Sequence, residues 1–436
     1  MLARELRKFW RRQRLQESDE AVPPSDTAGP AAAVHGDRPV FDPQDPGFVR
    51  DPYPLFDYLR EHEPVQRGAT GAWVLSRYSD IAAALVDPRL GNAPSEYATV
   101  NRRNRDQYLC ARVANEILPF LDPPEHTAPR KLITHSFNQY IRRHPPPLQA
   151  LADDLLNSLS GRHAFDLMRD FATPYAARVF RHLLALDDDR LPELMEWSHW
   201  FFYLLTVIPS QQARIQIDHA LQRLRDEFAG LVATRRDAPG DDFISYLLAE
   251  EGVGDALDDE RLVDNLILLF ADGVGNVDKG ICNAAALLLG HPEQLARLRA
   301  DRELLGPAMD ECLRYESPGQ FIGRVATEPL EIGGVSIRRN DAVLLLLGSA
   351  NRDPEQFEHA DRFDISRFPN PHLAFGKSRH ACVGAPLVRL EMQIAIQRLF
   401  DSFDDLELAQ PRLNWELRMG HRWLEDLPVT RRRARG

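Results

Sequence analysis

Phe375-Gly376-Lys377-Ser378-Arg379-His380-Ala381-Cys382-Val383-Gly384 is the stretch on which the reading of this chain turns. It follows the proline-rich Phe368-Pro369-Asn370-Pro371 and precedes a helix-like run from Ala385 to Leu399. A lone cysteine in a glycine-bounded loop at a helix N-terminus has a physical reason to ionise. Backbone N–H groups and the helix dipole favour negative charge there, and Lys377, Arg379 and His380 add to the effect. Such a thiolate serves either as a nucleophile or as an iron ligand. A nucleophile needs a histidine base within reach, and in an extended loop His380 points away from a residue two places on. An axial ligand needs only the thiolate and a close-packed loop. The residues alone leave both roles open.

The rest of the chain narrows the setting. It has 436 residues, 44% hydrophobic and 27% charged, enough apolar material for a sizeable core. A net charge of −12 argues against a nucleic-acid binder, which needs a basic surface. Cys110, Cys282, Cys312 and Cys382 lack paired spacing, so neither a disulfide framework nor a zinc ribbon is expected. With no secretory signal seen, a reducing, cytoplasmic setting is expected. No stretch approaches the roughly 20 apolar residues of a membrane span.

The ends differ from the body in charge. Residues 1–16 hold six Lys/Arg and one acid. On a helical wheel Leu2, Leu6, Phe9 and Trp10 share one side, with Arg4, Arg7, Lys8, Arg11 and Arg14 opposite. This is either an amphipathic segment that touches a membrane surface or a partner, or a frayed tail. Pro23, Pro24, Ser25, Gly29 and Pro30 mark a flexible linker. The expected organisation is therefore a basic extension and linker (1–37), one large domain (38–430) and a solvated basic tail (431–436). Within the domain helical periodicity dominates, as at Leu151, Leu155, Leu156 and Leu159. Strand signals are few: Trp73-Val74-Leu75, Leu330 to Ile337 around Gly333-Gly334, and Ala342 to Leu347 after Asn340-Asp341. The longest apolar run, 262–289, is broken by a polar patch. The fold class read from this is mainly α with small β-sheets.

With that context the loop resembles the haem-binding signature FGxGxHxCxG of the cytochrome P450 family. Phe375, Gly376, His380, Cys382 and Gly384 match it, and Ser378 stands where the second glycine is expected. Further motifs follow in the family's order over roughly residues 40–430. Glu311-Cys312-Leu313-Arg314 resembles ExxR, and with Arg362 it is expected to form the family's buried Glu-Arg-Arg network. His126-Thr127-Ala128-Pro129-Arg130 resembles the HxxxR segment whose side chains meet haem propionates. Arg324 and His380 are expected to add propionate contacts, because two buried carboxylates must be paired. The resemblance implies a haem b lying between a long distal helix and the helix after the Cys loop, with Cys382 as the iron ligand. It also implies separate electron donors, a ferredoxin and its reductase.

The distal helix departs from the family pattern. Members carry Ala/Gly-Gly-x-Asp/Glu-Thr, whose acid and threonine relay protons during dioxygen activation. Here the segment reads Ala271-Asp272-Gly273-Val274-Gly275-Asn276-Val277-Asp278. With Gly273 on the motif glycine and His291-Pro292-Glu293 at the customary distance downstream, Gly275 replaces the acid and Asn276 the threonine. Asp272 lies one helical turn before Asn276, on the same face. Three readings follow. Asn276 holds water while solvent supplies protons, and ordinary hydroxylation continues. Alternatively, the substrate supplies the polar group, or Asp272 anchors a polar substrate, in which case its buried carboxyl needs a partner or a raised pKa. Or the enzyme carries out coupling, desaturation, nitration or peroxide-driven chemistry. Asp278 falls off that face and reads as solvated or helix-pairing. Arg102, Arg103 and Arg105 lie in the variable loop, either greeting an anionic or carrier-tethered substrate or simply solvated. Trp197, Trp200, Phe201, Phe202 and Tyr203 fall at the expected pocket roof, as core or as substrate cage. Polar character at the haem face hints at a polar, natural-product-type substrate. A haem-binding scaffold or sensor and a haem-free thiol enzyme are the rivals.

Overall fold

The computed structural model describes residues 34–35, 38–205, 208 and 210–432. The expected amphipathic segment at 1–16 lies outside the described residues, as does most of the linker. A two-residue strand pair, Val34–His35 with Arg38–Pro39, straddles the expected boundary at residue 37.

Helices carry the body. Those that build the site are α1 (Thr127–Arg143), α2 (Leu148–Leu159), α3 (Thr173–Leu184), α4 (Leu191–Phe201), α5 (Gln211–Asp237), α6 (Asp259–Gly275), α7 (Val277–Gly290), α8 (Leu305–Tyr315) and α9 (Ala385–Ser402). Local chemistry sets their starts. Ser210 caps α5 by accepting from the Ala213 N–H at 3.0 Å. Asp258 does the same for Arg261 at the head of α6, where Asp259 and Glu260 also meet the positive end of the dipole.

The strands are short. β1 (Val65–Arg67), β2 (Trp73–Leu75), β3 (Leu90–Gly91), β5 (Ile322–Ala326) and β8 (Ala342–Leu345) make one sheet in the order β1-β2-β8-β5-β3. Parallel pairing of β8 with β2 sets Val343 opposite Trp73, and antiparallel pairing with β5 sets Val343 opposite Arg324. β6 (Leu330–Ile332) and β7 (Val335–Ile337) form a hairpin. Its turn residues Gly333 and Gly334 have φ of +57° and +76°, the mirror-image turn that suits strand twist. β4 (Ala164–Asp166), β9 (Leu406–Leu408) and β10 (Pro428–Arg431) form a third sheet, ordered β9-β10-β4.

The expected solvated tail begins too early. Arg431 ends β10 with its Nε 3.1 Å from Asp405, and Arg432 Nε donates to Glu407 at 2.7 Å. Acids beside and on β9 give these arginines partners; Arg431 belongs to the sheet, while Arg432 lies just past its end and is exposed.

The main core runs through α1 to α9, and a second cluster lies under the five-stranded sheet. The apolar run at 262–289 is not one straight helix. α6 ends and α7 begins at Asn276 (φ −102°, ψ −31°). Gly273, Gly275 and Asn276 are poor helix formers, which localises the break. α7 packs on α9, which starts just after Cys382, and α8 packs on α9 as well.

Candidate functional site

The Cys382 loop is a tight turn held by its own backbone. The Cys382 N–H donates to the Phe375 carbonyl at 2.8 Å and the Ala381 N–H to Ser378 at 3.0 Å. Gly376 has φ +66°, and Ser378 takes the same left-handed region at φ +64°. The turn thus demands a glycine-like conformation where the chain has serine, at a cost of about 1 kcal/mol. Arg130 of α1 reaches across and donates through Nη2 to the Ala381 carbonyl. The Arg389 guanidinium lies 4.6 Å from the centroid of the Phe375 ring.

Four basic side chains converge beside this loop. The rings of His126 and His380 lie 4.1 Å apart, and the Nε2 atom of each is buried without a hydrogen-bond partner. Arg324 on β5 is buried and donates only to its neighbour's carbonyl, Gly323 O, at 2.8 Å. Burial lowers its pKa to about 10, with Asp122 opposing. Burial, then the charge of Arg130, pushes His126 down to about 4; burial, then His126 and Arg324, pushes His380 down to about 3. Among the described residues neither Arg130 nor Arg324 has a carboxylate at ion-pair distance. Buried donors with no acceptor are costly, and two carboxylates brought by a ligand would satisfy them. The residues present therefore fit a haem with its propionates here.

The thiol itself is not ionised by the protein alone. Burial pushes Cys382 up to about 12, and the Asp272 carboxylate adds to this. The N–H groups of Gly384 and Ala385 at the start of α9, with Arg130, pull the other way. Haem iron held here would supply the positive charge that favours the thiolate of Cys382.

Behind α9 the proximal network differs from expectation in one member. Arg314 grips Glu311 through Nε (2.7 Å) and Nη2 (2.9 Å), both side chains being fully buried. The third partner is Arg367, whose Nε lies 3.1 and 3.3 Å from the two Glu311 oxygens. Arg362 is a correction: its side chain is exposed, and only its carbonyl takes part, accepting from Arg314 and Arg367 at 3.2 Å each. Asn370 Nδ2 and the Asp364 N–H complete the shell around Glu311.

On the distal side Asp272 and Asn276 are joined, with Asn276 Nδ2 donating to Asp272 Oδ1 at 2.6 Å. Desolvation raises Asp272 to about 6 and this hydrogen bond offsets part of the rise. Residues 272, 273, 275 and 276 keep some open surface on a helix that runs through the core, so this face lines an internal space. Gly275 lies under an aromatic ring: a Cβ there would stand 2.5 Å from Cε2 of Phe202. Phe180 covers Gly273 in the same way. An acid at position 275 would therefore have to displace this ring, a physical companion to its absence from the sequence. Asp278 is not solvated; it is buried and accepts from Thr173 Oγ1 of α3 at 2.7 Å, which makes it helix-pairing.

Of the aromatic group, Phe201 and Phe202 are buried while Trp197, Trp200 and Tyr203 are partly open, with Trp200 and Tyr203 stacked at 5.6 Å. Arg102 and Arg103 line an outer cavity of about 280 Å³ with Glu96, Asp122, Thr327 and Arg339, and Arg103 pairs with Glu96 at 3.0 Å. Arg105 is exposed beside Asp106. Sequence reading missed Arg367 and a buried group around Arg418. Arg367 carried a signal: Arg362-Phe363 and Arg367-Phe368 offer two equivalent dipeptides.

This arrangement is that of a haem-thiolate oxidoreductase. The family model for Cytochrome P450 matches residues 145–412. Cytochrome P450 107B1 of Saccharopolyspora erythraea is 37% identical over 399 residues, covering 88% of this chain and 96% of the relative. The biotin biosynthesis cytochrome P450 of Bacillus subtilis is 34% identical over 388 residues, covering 88% and 97%. The crystal structure of P450BioI in complex with hexadec-9Z-enoic acid ligated acyl carrier protein superposes with a TM-score of 0.81 at 33% identity, covering 88% and 99%. The chain belongs to the cytochrome P450 family. No helix among the described residues is long and apolar enough to cross a membrane.

Proposed function

We propose that this chain is a cytoplasmic monooxygenase that hydroxylates a small, polar, biosynthetic-type organic substrate, using haem b and electrons from a ferredoxin and its reductase. The observation that carries the reading is the convergence of Arg130, Arg324, His126 and His380, with no carboxylate partner, beside the Cys382 loop. Bound there, a thiolate-ligated haem supplies the activation of dioxygen for insertion into a substrate bond. The chain's own part is positional and protic. Arg130, Arg324, His126 and His380 hold the propionates, and Glu311, Arg314 and Arg367 keep the loop's support rigid. Asp272, raised to about 6, holds a proton part of the time near neutral pH, and its Oδ1 accepts from Asn276 Nδ2. This pair does, one turn earlier, what an acid at position 275 would do.

The ring of Phe202 over Gly275 also favours a second reading, in which the outcome is coupling, desaturation, nitration or peroxide-driven oxidation. A haem-bound scaffold or sensor is the reading without turnover. Dioxygen uptake and product analysis with surrogate ferredoxin partners separate them. Hydroxylated product supports the main reading, other oxidised products support the second, and full haem loading with no conversion across a broad metabolite panel leaves the scaffold. A reduced, CO-bound sample without the red-shifted thiolate Soret band would overturn the assignment of Cys382.

A further inference from the structure

Two buried N–H donors sit without an acceptor one aromatic ring away from the distal helix, and neither belongs to the haem cradle. They are Arg418 Nη1 and Trp423 Nε1. Both lie on the loop that closes Trp415 against Leu424, where the Glu416 N–H donates to the Trp423 carbonyl at 2.9 Å and Gly420 turns at φ +77°. The Gln320 N–H donates to Gly420 O at 2.8 Å, which stitches the tip beside β5, the strand that carries Arg324. Trp423 meets Phe202 edge to face at 4.8 Å, and Phe202 covers Gly275. The tip thus forms part of the roof over the Asp272–Asn276 face.

Arg418 is 6% exposed. Its guanidinium lies between the rings of Tyr203 (4.6 Å) and Trp423 (4.9 Å), and Nη2 donates to His199 Nε2 at 2.8 Å. His199 accepts as a neutral ring, since burial and then the charges of Arg418 and Lys279 hold its pKa well below the usual value. His421 is likewise neutral, lowered to about 3 by burial and then by Arg418. Among the described residues Arg418 has an ion pair with Glu416, whose Oε2 is 3.8 Å from Nε, longer than a hydrogen bond, while Oε1 accepts from Lys279 at 3.0 Å. The buried guanidinium is thus held by a neutral imidazole, two ring faces and a loose ion pair with Glu416, while its Nη1–H and the indole N–H of Trp423 are left without an acceptor.

We propose that Arg418 and Trp423 are substrate-specificity residues that bind the carboxylate of an organic acid at the roof of the distal cavity, one oxygen on Arg418 Nη1 and the other on Trp423 Nε1. This deepens the proposed function and rests on it. A phosphate fits less well, because its second charge would meet Glu416, whose partner Lys279 is already engaged. The probe is a set of saturated fatty acids (octanoic, dodecanoic, hexadecanoic) and their methyl esters, titrated into the haem-loaded protein by calorimetry and by the Soret shift. The expected result is that at least one acid binds tenfold to a hundredfold more tightly than its ester, the worth of a charge-assisted bond. Arg418→Gln removes that preference, Trp423→Phe reduces it several-fold, and both leave the reduced-CO band unchanged. Acids that bind no better than esters throughout the set, or a preference that survives Arg418→Gln, overturn the proposal. If Arg418→Gln does not fold, the wild-type comparison and Trp423→Phe still decide. A normal CO band and dioxygen uptake alongside equal binding of acid and ester would sink the anchor alone and leave the monooxygenase reading intact.

Discussion

Replacing Arg367 by alanine, beside a control replacement of Arg362, tests the proximal network where the structure departs from the motif. Arg367 gives Glu311 two contacts at 3.1 and 3.3 Å and donates to the carbonyls of Glu358, His359 and Arg362. Glu311 is fully buried. Its loss of Arg367 is cushioned by Arg314, Asn370 and the Asp364 N–H, so the change falls short of a stranded buried charge. A net cost of about 3 kcal/mol follows from charge-assisted bonds of roughly 1.5–3 kcal/mol each, partly replaced by water. Unfolding entropy of about 2.1 cal/mol/K per residue over roughly 400 residues gives about 0.8 kcal/mol/K, so the midpoint should fall by about 4 °C. Arg362→Ala keeps the carbonyl that accepts from Arg314 and Arg367 and removes only an exposed side chain. Its effect should stay within about 0.5 kcal/mol, under 1 °C. The assay is thermal unfolding of the haem-loaded protein followed at the Soret band. Equal falls for the two variants, or a fall below 1 °C for Arg367→Ala, would refute the assignment of Arg367.

Ser378→Gly should raise stability by about 0.5–1 kcal/mol, because it relieves a left-handed non-glycine residue at some entropic cost, and the CO band should not move; a lower midpoint contradicts this. Gly275→Ala should cost about 1–3 kcal/mol through contact with Phe202, and in a cycle with Phe202→Ala the two losses should fall short of additivity by about 1 kcal/mol; strict additivity would mean the ring does not define that space. Asp272 is raised to about 6 in the fold, above its unfolded value, so its favourable contribution is complete at low pH and is lost as pH rises through about 6. Wild type should therefore lose stability relative to Asp272→Asn between about pH 4 and 7 and then run parallel to it; a constant gap across that window rules out the raised carboxyl.

Much of the site was legible because it is local. Cys382, Gly376, His380 and Gly384 lie within one loop, and Glu311 and Arg314 are one helical turn apart. The pairing of Asp272 with Asn276 likewise needs only i,i+4 geometry, and the structure forms it at 2.6 Å. The two short strands around Gly333-Gly334 were readable from turn chemistry alone. By contrast, Arg362 and Arg367 stand in the same dipeptide context. What separates them is which one the chain folds back onto a carboxylate more than 50 residues upstream.

The sequence by itself determined that a cysteine would sit at a helix mouth, that a mainly α body would surround it, and that the distal helix would lack the usual acid. These follow from backbone periodicity, glycine placement and residue order. Tertiary structure alone decided that Phe202 fills the space above Gly275, that Asp278 is buried against Thr173, and that Arg418 and Trp423 meet beneath a loop tip with hydrogens to spare. Those facts depend on contacts between segments far apart in the chain, where packing and desolvation, rather than local propensity, set which polar groups are left without a partner.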